Sequence, residues 1–507
     1  MKSFHHNSNN YILNSDINIT YGELFDMSNK DFGKWIDSFK SEVKKSWVDH
    51  NQPPLRTIDD RSIVQQMERL SYMSMDDTVQ TDTMTNTEDL IVMKSPISCG
   101  SCFFPNMGKM KDINTTDMEG MSLWDYFVEG KDPNTFKSSI NRNFRRDSFY
   151  SYSPTLTKSS SVSLGLSDGK SWIETFSSST IRFWLDPIKK VPKGYLSVKG
   201  SDVKELLKSG SLKSSNFLED DFENDDHKSD DQLYRIRTFD VDERLFPKGF
   251  NHLRMGLVMM GVNFPPSISK FMYTHFTEEF KDQSEIIIYD PSMGYGGRLL
   301  GCLSVNDDRK IHYVGTDPNT ENWIDELGIS RYDLMGRFYN SNIKRKYKTT
   351  YETFMEGSEV VHLNKDFQKH KGKFDFIFTS PPYFGAEGYS EDETQSYKKF
   401  PTYEEWRDGF LTQTLTNCVE YLKSNRWICW NISDVQFNGK YYPLERDSVE
   451  IMKSLGMEYR MRYKMVLSGS IQSKNIKERS RLPSTKNFCG VRNNFRKYEP
   501  IFCFYKP

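Results

Sequence analysis

From residue 235 onwards the sequence predicts a doubly wound α/β domain, and three stretches carry that prediction. The first is Glu285–Asp290, a short apolar run ending in an acid. A glycine-rich turn follows it (Pro291-Ser292-Met293-Gly294-Tyr295-Gly296-Gly297), and Arg298-Leu299-Leu300-Gly301-Cys302-Leu303 then opens a helix. The second is Ile311–Asp317, another apolar run ending in an acid, about twenty residues further on. The third is Phe374–Thr379, apolar and rich in aromatic residues, which halts at Ser380-Pro381-Pro382-Tyr383-Phe384. A short run of this kind stopped by two prolines reads as a buried strand ending in a turn. Strand, glycine loop, helix, strand and acid form the dinucleotide-type order. In it the glycines let the backbone approach a ligand, and the second acid can accept both ribose hydroxyls.

The remaining segments fill in the domain. Asn263–Phe280 begins with two prolines and sets Ile268, Phe271, Met272, His275 and Phe276 on one helical face. After the basic stretch Lys344–Lys348, residues 360–367 read as the third strand, with Asp366 just past its end and Phe367 beside it. The Phe374 strand is fourth. Glu404–Leu422 is a helix, Arg426–Ile432 a fifth strand, and Tyr459–Leu467 and Pro500–Tyr505 close the chain as strands.

The 507 residues suffice for two or three domains with ample core. A formal net charge of −2 excludes a uniformly basic nucleic-acid coat, so any polyanion site must be local. No run approaches a membrane span and the N-terminus has no apolar signal core. We therefore expect a protein with no membrane partner, cytoplasmic, in a bacterial host cytoplasm if phage-encoded. Cys99 and Cys102 form a lone CxxC pair with no second pair to complete a zinc site, so no metal is expected. Ala386 is the sole alanine, and abundant Lys, Asn, Ile, Tyr and Phe beside it suggest an AT-rich genome, a bacteriophage being one candidate.

Residues 1–218 are read as a separate N-terminal domain of α+β character, a candidate for target recognition. Within it, 21–48 suggests amphipathic helices and Thr180–Leu185 a strand, and Arg142, Arg145 and Arg146 lie beside a serine-rich, aromatic stretch. Residues 219–234 read as an acidic linker, since Glu219–Asp231 holds eight acids and one lysine. Residues 235–507 form the main domain.

Taken together, Asp290, Pro291, Gly294 and Gly296, then Ser380-Pro381-Pro382-Tyr383, then the terminal KYEPIFCFYKP strand resemble the class I S-adenosylmethionine-dependent DNA amino-methyltransferases over roughly 235–507. Ser292 departs from the family's aromatic or aliphatic residue, and Gly297-Arg298 from its small or polar pair. The resemblance implies a Rossmann-like domain with a seven-stranded mixed sheet and S-adenosylmethionine as cofactor. It also implies methyl transfer to an exocyclic amine in DNA, ahead of RNA.

Serine at the head of the turn favours cytosine N4 over adenine N6. By the same resemblance Ser380 and the Pro381 carbonyl accept the amine hydrogens, Pro381 holds that carbonyl rigidly, Pro382 completes the catalytic turn, and Tyr383, with Phe384, stacks on the extruded base. Asp290 serves the methionine amine through water, Asp317 the ribose and Asp366 the adenine amine, while Phe264 packs near the methionine end. The alternatives are an RNA amino-methyltransferase and an idle DNA-binding module with the same fold.

A nucleic-acid footprint stands late in the chain. Between Tyr459 and Tyr498 there are eleven Lys/Arg and one acid, among them Arg479, Arg481, Lys486, Arg492 and Arg496.

Overall fold

The computed structural model describes residues 60–108 and 263–507, with short gaps at 83–88, 96, 98, 306–308, 386–389, 391, 438, 472–487 and 492–493. It also describes 195–199, 233–237 and two single residues, Asp31 and Ser38. The helices expected at 21–48, apart from those two residues, the strand at 180–185 and most of the acidic linker lie outside this set. The chain divides into two compact units, one of residues 1–6, 58–107 and 259–507, the other of 7–57 and 108–258. In the second, Tyr195–Lys199 and Leu233–Arg237 pair antiparallel, Tyr195 opposite Arg237.

The first unit is built on a ten-stranded sheet. In chain order its strands are β1 (Val79–Thr81), β2 (Leu90–Val92), β3 (Ile286–Asp290), β4 (Ile311–Thr316), β5 (Thr350–Phe354), β6 (Phe374–Thr379), β7 (Leu422–Asn431), β8 (Glu458–Ile471), β9 (Phe488–Val491) and β10 (Asn494–Lys506). Across the sheet they run β1-β2-β8-β10-β7-β6-β3-β4-β5, with β9 on β10. The five strands from β7 to β5 are parallel, and β10 lies antiparallel between β7 and β8. This is the doubly wound mixed sheet the sequence predicts, seven strands from β8 to β5, enlarged by β9 and by two strands from the N-terminal part of the chain.

The central strand β6 is buried along its whole length, as a parallel strand covered on both faces must be. Phe376 and Phe378 enter the layer that holds the helix α2 (Pro266–Phe276), where Tyr273 meets Phe376 edge-on and Phe276 stacks on it. Phe374 and Ile377 enter the opposite layer with Trp406, Leu415 and Tyr421. Pro266 starts α2 at a position where its missing N–H costs nothing.

One expected strand is displaced. Residues 360–367 form a short 3₁₀ turn (Val361–Leu363) and a single helical turn (Lys365–Gln368), and the third parallel strand is β5, ten residues earlier. The Asn364 side chain accepts from the N–H groups of Asp366 and Phe367, a helix-capping interaction that draws the stretch out of extended conformation.

Residues 60–107, expected within a separate domain, belong to the same unit as the main sheet. Their helix α1 (Asp60–Tyr72) would leave its last carbonyls without partners. Buried Lys270 of α2 supplies them, its Nζ donating to Leu70, Ser71 and Met73 oxygens at 2.8, 2.7 and 3.0 Å. Further on, β2 adds parallel to β8, Leu90 opposite Tyr463. Beside that ladder Lys464 Nζ lies 2.8 Å from Asp82 Oδ2 in a pair almost wholly removed from solvent. No helix among the described residues is long and apolar enough to cross a membrane.

Candidate active site

In a doubly wound sheet the ligand crevice opens beyond the carboxyl ends of the strands, where the winding reverses. Here that point lies between β3 and β6. A cleft of about 500 Å³ occurs there. Among the described residues it is lined by Pro291, Ser292 and Gly294 after β3, Asp317 and Pro318 after β4, and Gly357, Ser358 and Glu359 after β5. Ser380 and Pro382 after β6, Thr394–Ser396 and Phe410 complete it.

Asp290 does not line the cleft. It is fully buried, and its two oxygens are taken up by protein donors. Oδ2 accepts from Arg298 Nε at 2.9 Å and the Tyr313 hydroxyl at 2.6 Å; Oδ1 accepts from Thr379 Oγ1 at 2.8 Å and the Ser292 N–H at 3.2 Å. Arg298 also donates to the Ser292 carbonyl and lies over the Phe264 ring, 5.2 Å from its centroid. In this arrangement Asp290 fixes the glycine loop from beneath, with the Arg298 guanidinium, a departure from the family pattern, against its carboxylate. Phe264 is buried too, edge-on to Phe378 at 5.4 Å, and is not part of the cleft lining.

The loop that Asp290 holds presents backbone to the cleft. Gly294 and Gly296 have φ of 53° and 70°, where side chains are strained. A Cβ on Gly296 would also come within 2.9 Å of Phe104 and 2.8 Å of Met335. The Gly294 N–H donates to Asp317 Oδ2 at 2.7 Å and the Asn319 N–H to Asp317 Oδ1 at 3.0 Å. Burial pushes the Asp317 carboxyl up to about 6, against these two N–H donors that favour its ionised form. Tyr332 holds the loop from the other side, donating to the Gly294 carbonyl at 2.6 Å.

The turn after β6 is divided by burial. Ser380 and Pro382 open onto the cleft, whereas Pro381, Tyr383 and Phe384 are buried. Phe384 lies within an aromatic cluster, its ring 5.5 Å from Tyr403, 6.0 Å from Trp406 and 5.0 Å from Tyr442. Tyr383 shares that core layer and is 8% exposed. Both rings are thus largely removed from solvent in this structure.

Asp366 is exposed on its single helical turn, and Phe367 packs in the core against Tyr289, Phe354 and Tyr421. The acid that does reach the cleft after the third strand is Glu359, 4% exposed and paired with Lys399. Its loop is pinned to the helix α3 (Thr412–Tyr421) by Asn417 Nδ2, which donates to the Ser358 carbonyl at 2.8 Å. Glu359 lies just before 360–367, and the sequence signal for the strand that leads to it is Thr350-Tyr351-Glu352-Thr353-Phe354, rich in residues of high strand propensity.

Arg479, Arg481, Lys486 and Arg492 lie outside the described residues. Arg496 is half-buried in β10. Cys99 and Cys102 sit in a 3₁₀ turn, where burial pushes both thiols up to about 12.

Several solved structures resemble the chain at low identity. An S-adenosylmethionine-dependent methyltransferase from Methanosarcina mazei is 13% identical, over 44% of this chain and 93% of that one, with a TM-score of 0.26. A candidate DNA modification methylase from Thermus thermophilus is 16% identical, over 30% of this chain and 52% of that one, with a TM-score of 0.19. A precorrin-6y C5,15-methyltransferase from Geobacter metallireducens is 11% identical, over 49% of this chain and 100% of that one, with a TM-score of 0.24. The chain thus spans about half the length of the Thermus protein. No curated protein matches. The family match falls on β6 and everything after it: residues 374–507 match the family described as DNA methylase, N6_N4_Mtase.

Proposed function

We propose that this protein transfers a methyl group from S-adenosylmethionine to an exocyclic amine of a DNA base, cytosine N4 ahead of adenine N6. The observation that carries this reading is one shared cleft. Ser380, at the head of the Ser-Pro-Pro-Tyr turn, opens onto the same space as the glycine loop and Asp317.

The cleft suits the cofactor. It offers two acids, Asp317 and Glu359, and the apolar Pro318 and Phe410, and Gly294 lets the backbone come close. Asp317 would take the ribose hydroxyls and Ser358–Glu359 the far end of the nucleoside, in place of Asp366. The bound cofactor would supply a methyl group already activated by its sulfonium charge.

An aromatic exocyclic amine is a poor nucleophile, because its lone pair is delocalised into the ring. Ser380 Oγ and the Pro381 carbonyl would accept the two amine hydrogens and draw the nitrogen towards tetrahedral geometry, turning the lone pair to the methyl group. A carbonyl set between two prolines needs little reorganisation to do this, so the contribution is preorganised hydrogen bonding. In a duplex the base must first leave the stack, at a cost of a few kcal/mol. Tyr383, with Phe384, would offer the surface that stacks on the base, which requires the rings to leave the core layer they occupy here. Incubating the protein with labelled cofactor and either DNA or RNA, then digesting to nucleosides, tests the reading. Label in N4-methylcytosine from DNA supports it, and label only in RNA nucleosides rejects it.

A further inference from the structure

Towards the end of the parallel strands away from the cleft, three side chains from three segments converge. His312 is the second residue of β4, Glu352 the third of β5, and His370 lies in the turn leading to β6. Strand register places His312 opposite Thr350 and Val314 opposite Glu352, so His312 and Glu352 project from the same face. His370 Nε2 is 2.9 Å and His312 Nε2 3.7 Å from one atom, Glu352 Oε2. The three donor atoms lie within 4.8 Å of one another. Ligands about 2.0 Å from a tetrahedral ion stand about 3.3 Å apart, so these separations bracket the required spacing.

The surroundings orient the donors. His312 Nδ1 is 2.8 Å from Thr350 Oγ1, whose own hydroxyl donates to the Ile311 carbonyl at 3.5 Å. With Nδ1 as the N–H donor, Nε2 turns a lone pair towards the carboxylate oxygen, and a cation between them satisfies both. An outward N–H bonded to an oxygen is the usual support of a metal-bound imidazole. His370 is held by the rings of Phe374, stacked at 5.5 Å, and Phe367. Lys369 Nζ engages the other oxygen of Glu352 at 2.6 Å, leaving Oε2 to the histidines.

We propose that His312, Glu352 and His370 bind a first-row divalent transition ion, zinc or its cobalt analogue, with water completing the shell. Two imidazoles and a carboxylate suit such ions better than magnesium or calcium, which favour all-oxygen shells. The ion would tie β4, β5 and the turn before β6 together. The three ligands are far apart along the chain and follow no local motif, so only the fold brings the set to view.

The test uses the full chain stripped with a chelator, then titrated with Co²⁺ followed by visible absorption and with Zn²⁺ by calorimetry. One equivalent should bind with micromolar affinity or better, with cobalt bands of an imidazole-containing site, and Zn²⁺ should raise the melting temperature. His312→Gln and Glu352→Gln, both at partly exposed positions, should each weaken binding roughly tenfold or more. Thr350→Val, which leaves the ligands in place, should weaken it less. The consecutive His5 and His6 could hold an ion by themselves, so the His5→Gln/His6→Gln variant is the control and should bind as the wild type does. Failure of the wild type to bind an equivalent at millimolar ion overturns the proposal. So does equal binding by the His312 and Glu352 variants.

Discussion

Thr379 Oγ1 donates to Asp290 Oδ1 across 2.8 Å, joining the tips of β6 and β3 at the point where the sheet reverses its winding. The backbone ladder between these strands pairs Ile377 with Tyr289, two residues before Thr379. The side-chain bond thus joins the strands beyond their last backbone pairing. It also couples the Ser380 turn to the glycine loop, since Asp290 holds that loop through Ser292 and Arg298.

Thr379→Val keeps the shape and removes the donor. Stability should fall by about 1–3 kcal/mol, because a buried carboxylate loses a hydrogen bond. Thr379→Ser should restore most of it. Urea denaturation of the three proteins checks this, and equal midpoints for wild type and valine variant would show that the contact adds nothing.

Asp317 gives the site a pH dependence. Its folded-state value of about 6 is above the usual 3.8, so its contribution to stability is fully present below about pH 4 and lost as pH rises through about 6. Cofactor binding should run the opposite way, because ribose hydroxyls are accepted best by the ionised form. Affinity should fall towards tenfold per unit below about pH 6, and Asp317→Asn should flatten the profile at a weaker level. Calorimetry from about pH 5 to 8 decides; parallel profiles for both proteins would remove Asp317 from the ligand.

Lys464 and Asp82 test how 60–92 is fastened to β8. Lys464→Met alone leaves a buried carboxylate without its ammonium and should cost about 3–5 kcal/mol. Adding Asp82→Leu should recover much of the loss. Additive losses in this cycle would show that the pair is not coupled.

The basic segment 474–497 is proposed to contact phosphate. Neutral replacements at Arg479, Arg481 and Arg492 should lower the salt slope of DNA binding by about one contact for each residue engaged. An equal loss of affinity at every salt concentration would assign the stretch to folding.

Much of this fold was legible because the parallel strands are short apolar runs with abrupt ends. Asp290, Asp317 and Ser380 are each placed by a strand whose stop signal is local. Burial was harder to read. A Tyr-Phe pair after Pro-Pro looks open in sequence, but Tyr403, Trp406 and Tyr442, all distant along the chain, cover Phe384. The capping of Asp366 by Asn364 overrode a run of apolar residues. The attachment of 60–107 depends on Lys270 and Lys464, which in sequence look like any exposed lysine.

The most direct test of the central claim is single-turnover methyl transfer by Ser380→Ala, with cofactor affinity measured beside it. Ser380 opens onto the cleft and its hydrogen bond counts most as the amine becomes tetrahedral. The variant should therefore fold and bind cofactor and DNA as the wild type does. Transfer should slow by roughly one to two orders of magnitude, about 1.5–3 kcal/mol of transition-state stabilisation. Transfer at the wild-type rate would contradict the assignment of this turn as the catalytic centre.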